Sequence, residues 1–219
     1  MNRVERRKAL TQARIVEVAE RLMRKNGVRT VTIQDITEAA DIGHGTFYLY
    51  FKTKDQVLQP LIERLSEQVH ARVDQAAGRT KDPALRMAFG LRILLRTIAR
   101  DPLWGWYASR SGTPFSRLVG DMGAPPVEDM KRGLRAGRFS FSDNSATSDF
   151  IDGALVGVIN SLTRHDDVAG SDARSIEEVA DHTAEMVLRV LGIDAQEAKQ
   201  LVQQPLDAES PQNTAADNP

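Results

Sequence analysis

The 219-residue sequence contains no cysteine, which excludes disulfides and thiolate metal sites and fits a reducing cytoplasm. No run of about 18 apolar residues occurs, so no membrane-spanning helix is expected. The N-terminal stretch MNRVERRKAL is polar and basic, and no apolar core follows it, so it is not a secretory signal. We therefore expect a cytoplasmic protein without a membrane partner.

The sequence also lacks the patterns of an active site. Its 4 histidines are dispersed and do not lie at metal-ligand spacing: His44, His70, His165 and His182. No phosphate-binding loop or dinucleotide fingerprint occurs, and SRSGT (109–113) lacks the flanking glycine of a nucleophile elbow. We expect no catalytic residues, no metal, no cofactor and no enzymatic activity.

Aromatic residues are scarce but clustered. The chain has 2 Trp, 3 Tyr and 7 Phe, and 4 of these lie in GHGTFYLYFKTK (43–54). Phe47 and Phe51 are four residues apart and are expected to point into a core. One helix cannot bury every side, so Tyr48 and Tyr50 are expected to face outward. The alternative is that all four rings fill the core of a small bundle and that the lysines after them form a solvated end.

The residues before this cluster predict two helices. Apolar spacing indicates a first helix over about 11–26. A second helix begins at Thr32, which caps it together with Asp35, and ends near Ala40. The turn 41–43 contains a glycine and leads into the aromatic segment as a third helix. Two short helices joined by such a turn form a helix-turn-helix, whose second helix enters the major groove of DNA.

The charge distribution agrees with a DNA-binding N-terminal region. Residues 1–57 carry 11 Lys or Arg against 7 Asp or Glu, and the other 162 residues carry 18 against 23. Gly43 and Gly45 would let the backbone approach a phosphate. Contacts to base edges or phosphates are predicted for the side chains that follow them: His44, Thr46, Tyr48, Leu49, Tyr50, Lys52 and Lys54.

The segment TIQDITEAADIGHGTFYLYFKTKDQVL (32–58) resembles the DNA-binding domain of TetR/AcrR-type transcriptional regulators, and the resemblance covers about residues 10–60. The sequence departs from the recurring family pattern at four positions: Thr37, Asp41, Ile42 and Gly43. The resemblance implies DNA contacts by Thr32, Gln34, Gly43, His44, Gly45, Thr46, Tyr48, Tyr50, Lys52 and Lys54. His44 and Gln34 are predicted to select the DNA sequence, and Gly43 lacks the hydroxyl that often binds phosphate in the family.

From Asp55 onward the pattern stays helical, without a strand or hairpin signal. Helices are predicted over about 55–76, 83–100, 115–121, 126–136, 146–166 and 173–191. The fold class is therefore all-α. We predict a three-helix helix-turn-helix domain (1–54), a larger helical ligand-binding and dimerisation domain (55–193), and a disordered acidic tail (194–219).

The last two predicted long helices carry more apolar surface than a small core needs. Gly153 and Gly157 form a small-residue strip, and because a glycine inside a helix costs about 1 kcal/mol relative to alanine, a close helix approach is the expected reason. In the resembled family these two helices form the dimer interface. The resemblance thus implies homodimer contacts at Phe150, Gly153, Gly157, Met186 and Val190. The alternative is an ordinary buried helical hairpin.

The segment DPLWGWYASRSGTPF (101–115) concentrates aromatic side chains at the centre of the chain. An apolar ligand pocket is predicted from Phe89, Trp104, Trp106, Tyr107, Phe115 and Asn160. The alternatives are that the rings fill the core and that Asn160 makes a dimer hydrogen bond. Arg92, Arg96 and Arg100 recur every four residues and are expected on a solvated helix face, with an anionic ligand group as the alternative.

Together these features predict a homodimeric DNA-binding repressor that binds a palindromic double-stranded operator and is released by a small, largely apolar effector. A two-fold dimer can read two half-sites about one turn apart. The helix after the aromatic segment would set the distance between the two recognition helices. The alternatives are an activator and a ligand-independent regulator with a filled core.

Overall fold

The computed structural model describes residues 2–78, 80–110, 125–141, 144–163 and 175–206, and all regular structure within these ranges is helical. This confirms the all-α prediction. The helices are α1 (Arg3–Asn26), α2 (Ile33–Ala39), α3 (His44–Tyr48), α4 (Lys54–Ala77), α5 (Pro83–Arg100), α6 (Pro102–Arg110), α7 (Pro125–Arg135), α8 (Asn144–Thr163), α9 (Ile176–Val190) and α10 (Ala195–Gln203). The helix predicted over 115–121 lies outside the described residues. Within these ranges, no helix has the length and apolar character needed to cross a bilayer.

Helix α1 begins at Arg3, earlier than the predicted start near residue 11. A capping box explains the difference: the Glu5 N–H donates to Asn2 Oδ1 at 2.9 Å, and the Asn2 N–H donates to Glu5 Oε2 at 2.8 Å. Pattern reading placed the start too late because the buried apolar stripe of α1 begins only at Ile15. The first turns of α1 are therefore held by their cap and by the continuity of the helix.

The N-terminal helices pack around Phe47, which is fully buried with Ile15 and Ile36. The predicted cap of α2 is present, because the Asp35 N–H donates to Thr32 Oγ1 at 3.1 Å and the Asp35 carboxylate accepts from the Thr32 N–H at 2.7 Å. These hydrogen bonds from Thr32 lower the pKa of Asp35 below its ordinary value. The α2–α3 turn places Asp41 at φ 50°, a left-handed conformation that aspartate tolerates.

Helix α5 lies at the centre of the C-terminal helices and packs against α4, α6, α7, α8, α9 and α10. The prediction of a solvated arginine face on α5 is wrong for Arg92 and Arg96, which are both buried. Arg92 Nε and Arg96 Nη2 each donate to Asp181 Oδ1 on α9 at 2.8 Å, and Arg92 Nη1 donates to the Gln204 carbonyl at 2.7 Å. A buried arginine needs such partners because an unpaired buried charge is very costly.

The predicted disordered tail also needs correction, because α10 occupies its first part. Asp194 caps this helix by accepting from the Gln196 N–H at 2.8 Å, and Ala198 and Val202 are buried. Arg138 donates to Glu197 on α10 at 2.7 Å. The acidic composition of this segment predicts disorder, but Ala198 and Val202 form an apolar pair at i, i+4 spacing that docks this short helix. Residues 207–219 lie outside the described residues.

Candidate nucleic-acid interface, effector core and dimer face

The outward face of α3 is aromatic and exposed. Phe47 is fully buried below it, whereas Tyr48 is 49 % exposed and Leu49 is 81 % exposed. The rings of His44 and Tyr48 lie with their centroids 5.5 Å apart. One side of α3 thus anchors the helix while the other presents an imidazole, a phenol and a leucine to the outside.

The two glycines at the start of α3 are open to the outside. Gly43 is the N-cap and, as its missing side chain requires, makes no side-chain cap hydrogen bond. A Cβ added at Gly45 would meet no heavy atom within 4 Å. Crowding within the described residues therefore does not explain Gly45, and a close approach from outside remains the predicted reason.

The predicted DNA-contact side chains differ in how free they are. Gln34 is exposed but donates to Glu38 Oε1 at 2.8 Å, and the Thr32 hydroxyl donates to Asp35 Oδ2 at 2.8 Å. Thr46 and Tyr50 are partly buried, and Tyr50 packs against the core. Tyr50 therefore presents less surface than the sequence led us to expect.

Lys54 has a structural role that sequence reasoning missed. Its ammonium donates to the carbonyls of Val28 and Val31, each at 2.7 Å. These carbonyls belong to the connection between α1 and α2, so Lys54 ties that connection to the start of α4. Lys52 is exposed, and its ammonium has no partner among the described residues. Both lysines belong to the motif, but the Lys54 ammonium is bound to backbone carbonyls whereas Lys52 is exposed.

We predict that Lys54→Met lowers the free energy of unfolding by about 2 kcal/mol, because two carbonyls lose a charged hydrogen-bond donor. Lys52→Met is the matched control and should leave stability unchanged while it weakens DNA binding and reduces its salt dependence. Urea denaturation and fluorescence anisotropy at two salt concentrations measure both quantities. Equal stability of the two variants would contradict the structural role of Lys54.

The central aromatic segment is mostly buried. Trp104 is 1 % exposed and Phe89 is 3 % exposed, while Trp106 and Tyr107 are partly buried. The Trp104 indole N–H is buried and has no hydrogen-bond partner among the described residues. Phe115 lies outside the described residues. An indole donor left without an acceptor in an apolar setting is a feature that a ligand oxygen could satisfy.

A small cavity of about 10 Å³ adjoins this tryptophan, and its walls are Leu58, Leu61, Ile62, Leu103, Trp104 and Tyr107. Of the predicted pocket residues that the structure describes, only Trp104 and Tyr107 therefore line this cavity. The α4 leucines and isoleucine were missed because their apolar spacing is that of any core helix. Phe89 is elsewhere in the core, and Asn160 is partly buried on α8. A volume of this size holds about one water molecule.

An apolar groove of about 520 Å³ lies between α8 and α9. Phe150 and Met186 in its wall are 62 % and 55 % exposed. Added Cβ atoms at Gly153 and Gly157, on the same helix as Phe150, would meet nothing within 4 Å. Packing among the described residues therefore supplies no reason for these two glycines. The groove shares Phe150, Met186 and Val190 with the predicted dimer face.

An ion-pair network joins the N-terminal helices to the central ones. Arg24 Nη1 on α1 donates to Asp101 Oδ1 at 2.7 Å, and the same oxygen accepts from the Leu103 N–H at 3.0 Å at the start of α6. Glu20 pairs with Arg24 at 3.0 Å and with Arg64 on α4 at 3.1 Å. Burial alone would lower the pKa of Arg24, but the hydrogen bonds and charges of Asp101 and Glu20 raise it.

Among the described residues, no group of three or more His, Asp or Glu could hold a metal ion. The described site is instead an exposed helix-turn-helix surface on a helical body. This arrangement defines the class of DNA-binding transcriptional regulators.

Comparison with known proteins gives the family. Residues 15–61 match the family described as "Bacterial regulatory proteins, tetR family", and residues 82–204 match "Tetracyclin repressor-like, C-terminal domain". The chain belongs to the TetR family of transcriptional regulators, as the motif predicted.

Curated relatives match part of the chain. The transcriptional repressor KstR of Mycolicibacterium smegmatis is 33 % identical over 99 residues, which are 45 % of this chain and 46 % of KstR. The regulator TtgR of Pseudomonas putida is 40 % identical over 57 residues, which are 26 % of this chain and 27 % of TtgR. The matches to these curated relatives thus span less than half of their length.

Solved structures match almost the whole chain. RolR in complex with resorcinol is 31 % identical with a TM-score of 0.75, covering 93 % of this chain and 98 % of RolR. Thermus thermophilus FadR in complex with lauroyl-CoA has a TM-score of 0.63 at 17 % identity, covering 84 % of this chain and 96 % of FadR, and shares the fold alone.

Proposed function

We propose that this protein is a homodimeric, cytoplasmic repressor that binds a palindromic operator and releases it when a small aromatic effector binds near Trp104. The observation that carries the DNA-binding step is the exposed face of α3 with His44 and Tyr48, above the buried Phe47. Such a helix is held rigidly from below while its outward side chains reach base edges or phosphates. The curated relative KstR is named a repressor, which supports the direction of regulation.

The dimer is supported by the groove between α8 and α9. Its exposed Phe150 and Met186, together with the open glycines Gly153 and Gly157, form a surface that a second copy of the same two helices would fit. A symmetric pair of α3 helices would then read two half-sites about 34–36 Å apart.

The effector step is supported by the core. RolR, which shares this fold at 31 % identity, was solved with resorcinol, a small phenol. A phenolic or carbonyl oxygen could accept from the Trp104 N–H, while the ring packs between α4 and α6. Because the cavity holds only about one water, the effector must bind better to a conformation in which α6 has moved away from α4.

Movement of α6 would reach the DNA-binding helices by two routes. Helix α4 both lines the cavity and leads directly from the recognition helix. Asp101 at the start of α6 also holds Arg24 on α1. A displacement of α6 therefore changes the position of the N-terminal helices, and both recognition helices of the dimer no longer match the half-site spacing.

The first test is fluorescence anisotropy on DNA from upstream of the gene, with a scrambled duplex as competitor. The protein should favour the upstream DNA by about a thousandfold or more at physiological salt. His44→Ala with Tyr48→Ala should remove most of that preference, whereas His182→Ala, at an exposed histidine on α9, should not. If the wild type binds both duplexes equally, while genome-wide selection of bound fragments finds no preferred site, the operator-reading role is wrong.

A ligand-independent regulator is the second candidate, and the small size of the cavity favours it. Resorcinol distinguishes the two, because a ligand of the native state raises stability by about 2.7 kcal/mol at a hundredfold excess over its Kd. A rise in the melting temperature together with release from the operator supports the effector step. No shift with resorcinol or a panel of small phenols favours the filled core.

A further inference from the structure

The first two turns of α1 carry most of the net positive charge of the N-terminal region, +3 of the +4 on residues 1–57. Residues 3–8 contain Arg3, Arg6, Arg7 and Lys8 against the single acid Glu5, and these side chains are exposed. Residues 15–61, which match the family's DNA-binding region, carry 6 Lys or Arg against 6 Asp or Glu. The helix-turn-helix region itself is therefore electroneutral.

This charge does not serve the helix that carries it. The N-terminus of a helix has a partial positive charge, so cations there are unfavourable, and like charges three or four residues apart repel each other. The capping box of Asn2 and Glu5 supplies the local stability. Among the described residues, no acidic partner is found for Arg6, Arg7 or Lys8, so their charge is available to an external anion.

The basic turns are also held rigidly. Helix α1 runs without interruption from Arg3 to Asn26, and Ile15, Ala19 and Met23 fix it in the core, where α1 packs against α2 and α4 and α2 in turn packs against α3. At about 1.5 Å per residue, Arg6 lies about 27 Å along α1 from Arg24, which contacts the start of α6. The basic turns are therefore at the end of α1 that is remote from this contact, and their position relative to α3 is fixed.

We propose that the first two turns of α1 bind DNA phosphates outside the base pairs read by α3. This inference rests on the proposed operator-binding function and adds a second contact surface to it. The partner is a polyanion because the patch combines four cations with one acid, and arginine pairs well with phosphate oxygens. Phosphate contacts of this kind supply affinity and orientation rather than sequence choice.

The test compares Arg6→Gln with Arg7→Gln against a matched control, Lys131→Gln with Lys199→Gln, which removes two exposed cations from the C-terminal body. Anisotropy on the full chain should show about tenfold weaker operator binding for the α1 variant. The slope of log K against log salt should fall by about 0.9 for each phosphate that the variant no longer neutralises. The control should bind like the wild type, and the hydroxyl-radical footprint should shorten only in the α1 variant.

Stability provides an independent readout. Removing two cations from a helix N-terminus should leave the melting temperature unchanged or slightly higher, so weaker binding cannot be ascribed to unfolding. The proposal is wrong if the α1 variant retains the wild-type operator affinity, salt slope and footprint. It is equally wrong if the variant retains these properties but loses binding to vesicles of anionic lipid. Failure of the wild type to prefer its operator refutes the proposed function instead, which separates the two failures.

Discussion

Phe150→Glu should convert the proposed dimer into monomers and weaken operator binding by about a thousandfold. Phe150 is 62 % exposed on α8, in the wall of the groove between α8 and α9. Two-fold symmetry would bring a glutamate from each subunit into the same apolar interface, where an unpaired charge is very costly. A monomer binds one half-site. It loses the gain in affinity that comes from linking two DNA-binding domains, a factor of about 10² to 10⁴.

Sedimentation velocity measures the oligomeric state, and anisotropy on the operator measures the affinity. Met186→Glu, at the exposed methionine of α9, should have the same effect through an independent position. Gln200→Glu adds the same charge to an exposed site on α10 and is the matched control. Circular dichroism should show that the helical content of the variants is retained. A Phe150→Glu protein that remains dimeric would place the dimer interface elsewhere.

Gly192→Ala should lower the free energy of unfolding by about 4 kcal/mol, a loss typical of strained backbone with a steric clash. Gly192 follows α9 with a φ of 91°, which L residues rarely adopt. A Cβ added there would lie 2.4 Å from the Ser140 carbonyl oxygen. Ser140 cannot retreat freely, because its N–H donates to the Leu191 carbonyl at 2.9 Å.

Gly137→Ala is the matched control for this prediction. Gly137 also has a positive φ, of 66°, but a Cβ there would meet nothing within 4 Å. Its substitution should cost only the backbone strain, about 1 kcal/mol. Urea denaturation at one fixed protein concentration compares the two variants, since the proposed dimerisation would make stability depend on concentration. Equal losses for both glycines would show that the Ser140 contact is unimportant.

The N-terminal helices were predictable because their information is local. Each signal lies within five consecutive residues: the cap formed by Thr32 and Asp35, and the i, i+4 pair of Phe47 and Phe51. The structure confirms both. The first turns of α1 were missed although their signal is also local. Their apolar stripe is absent, and only the short cap pattern of Asn2 and Glu5 marks their start.

The C-terminal helices were less predictable because their decisive contacts are distant in sequence. Arg92 has the polarity of a surface residue, and its partner Asp181 is 89 residues away. A similar difficulty hid the walls of the cavity near Trp104, where α4 and α6 meet. Single-sequence periodicity reports which face of a helix is apolar, but it does not report which two helices face each other.

The shared oxygen of Asp101 limits how this regulator can be recombined. A chimera that joins its N-terminal helices to the effector body of another family member, with the junction inside α4, separates Arg24 from Asp101. The recipient body must then provide a carboxylate at the start of its own sixth helix. Otherwise the transplanted N-terminal helices are held by α4 alone. Biosensor designs that graft new operator specificities onto this body should therefore keep Arg24 and Asp101 together as a pair.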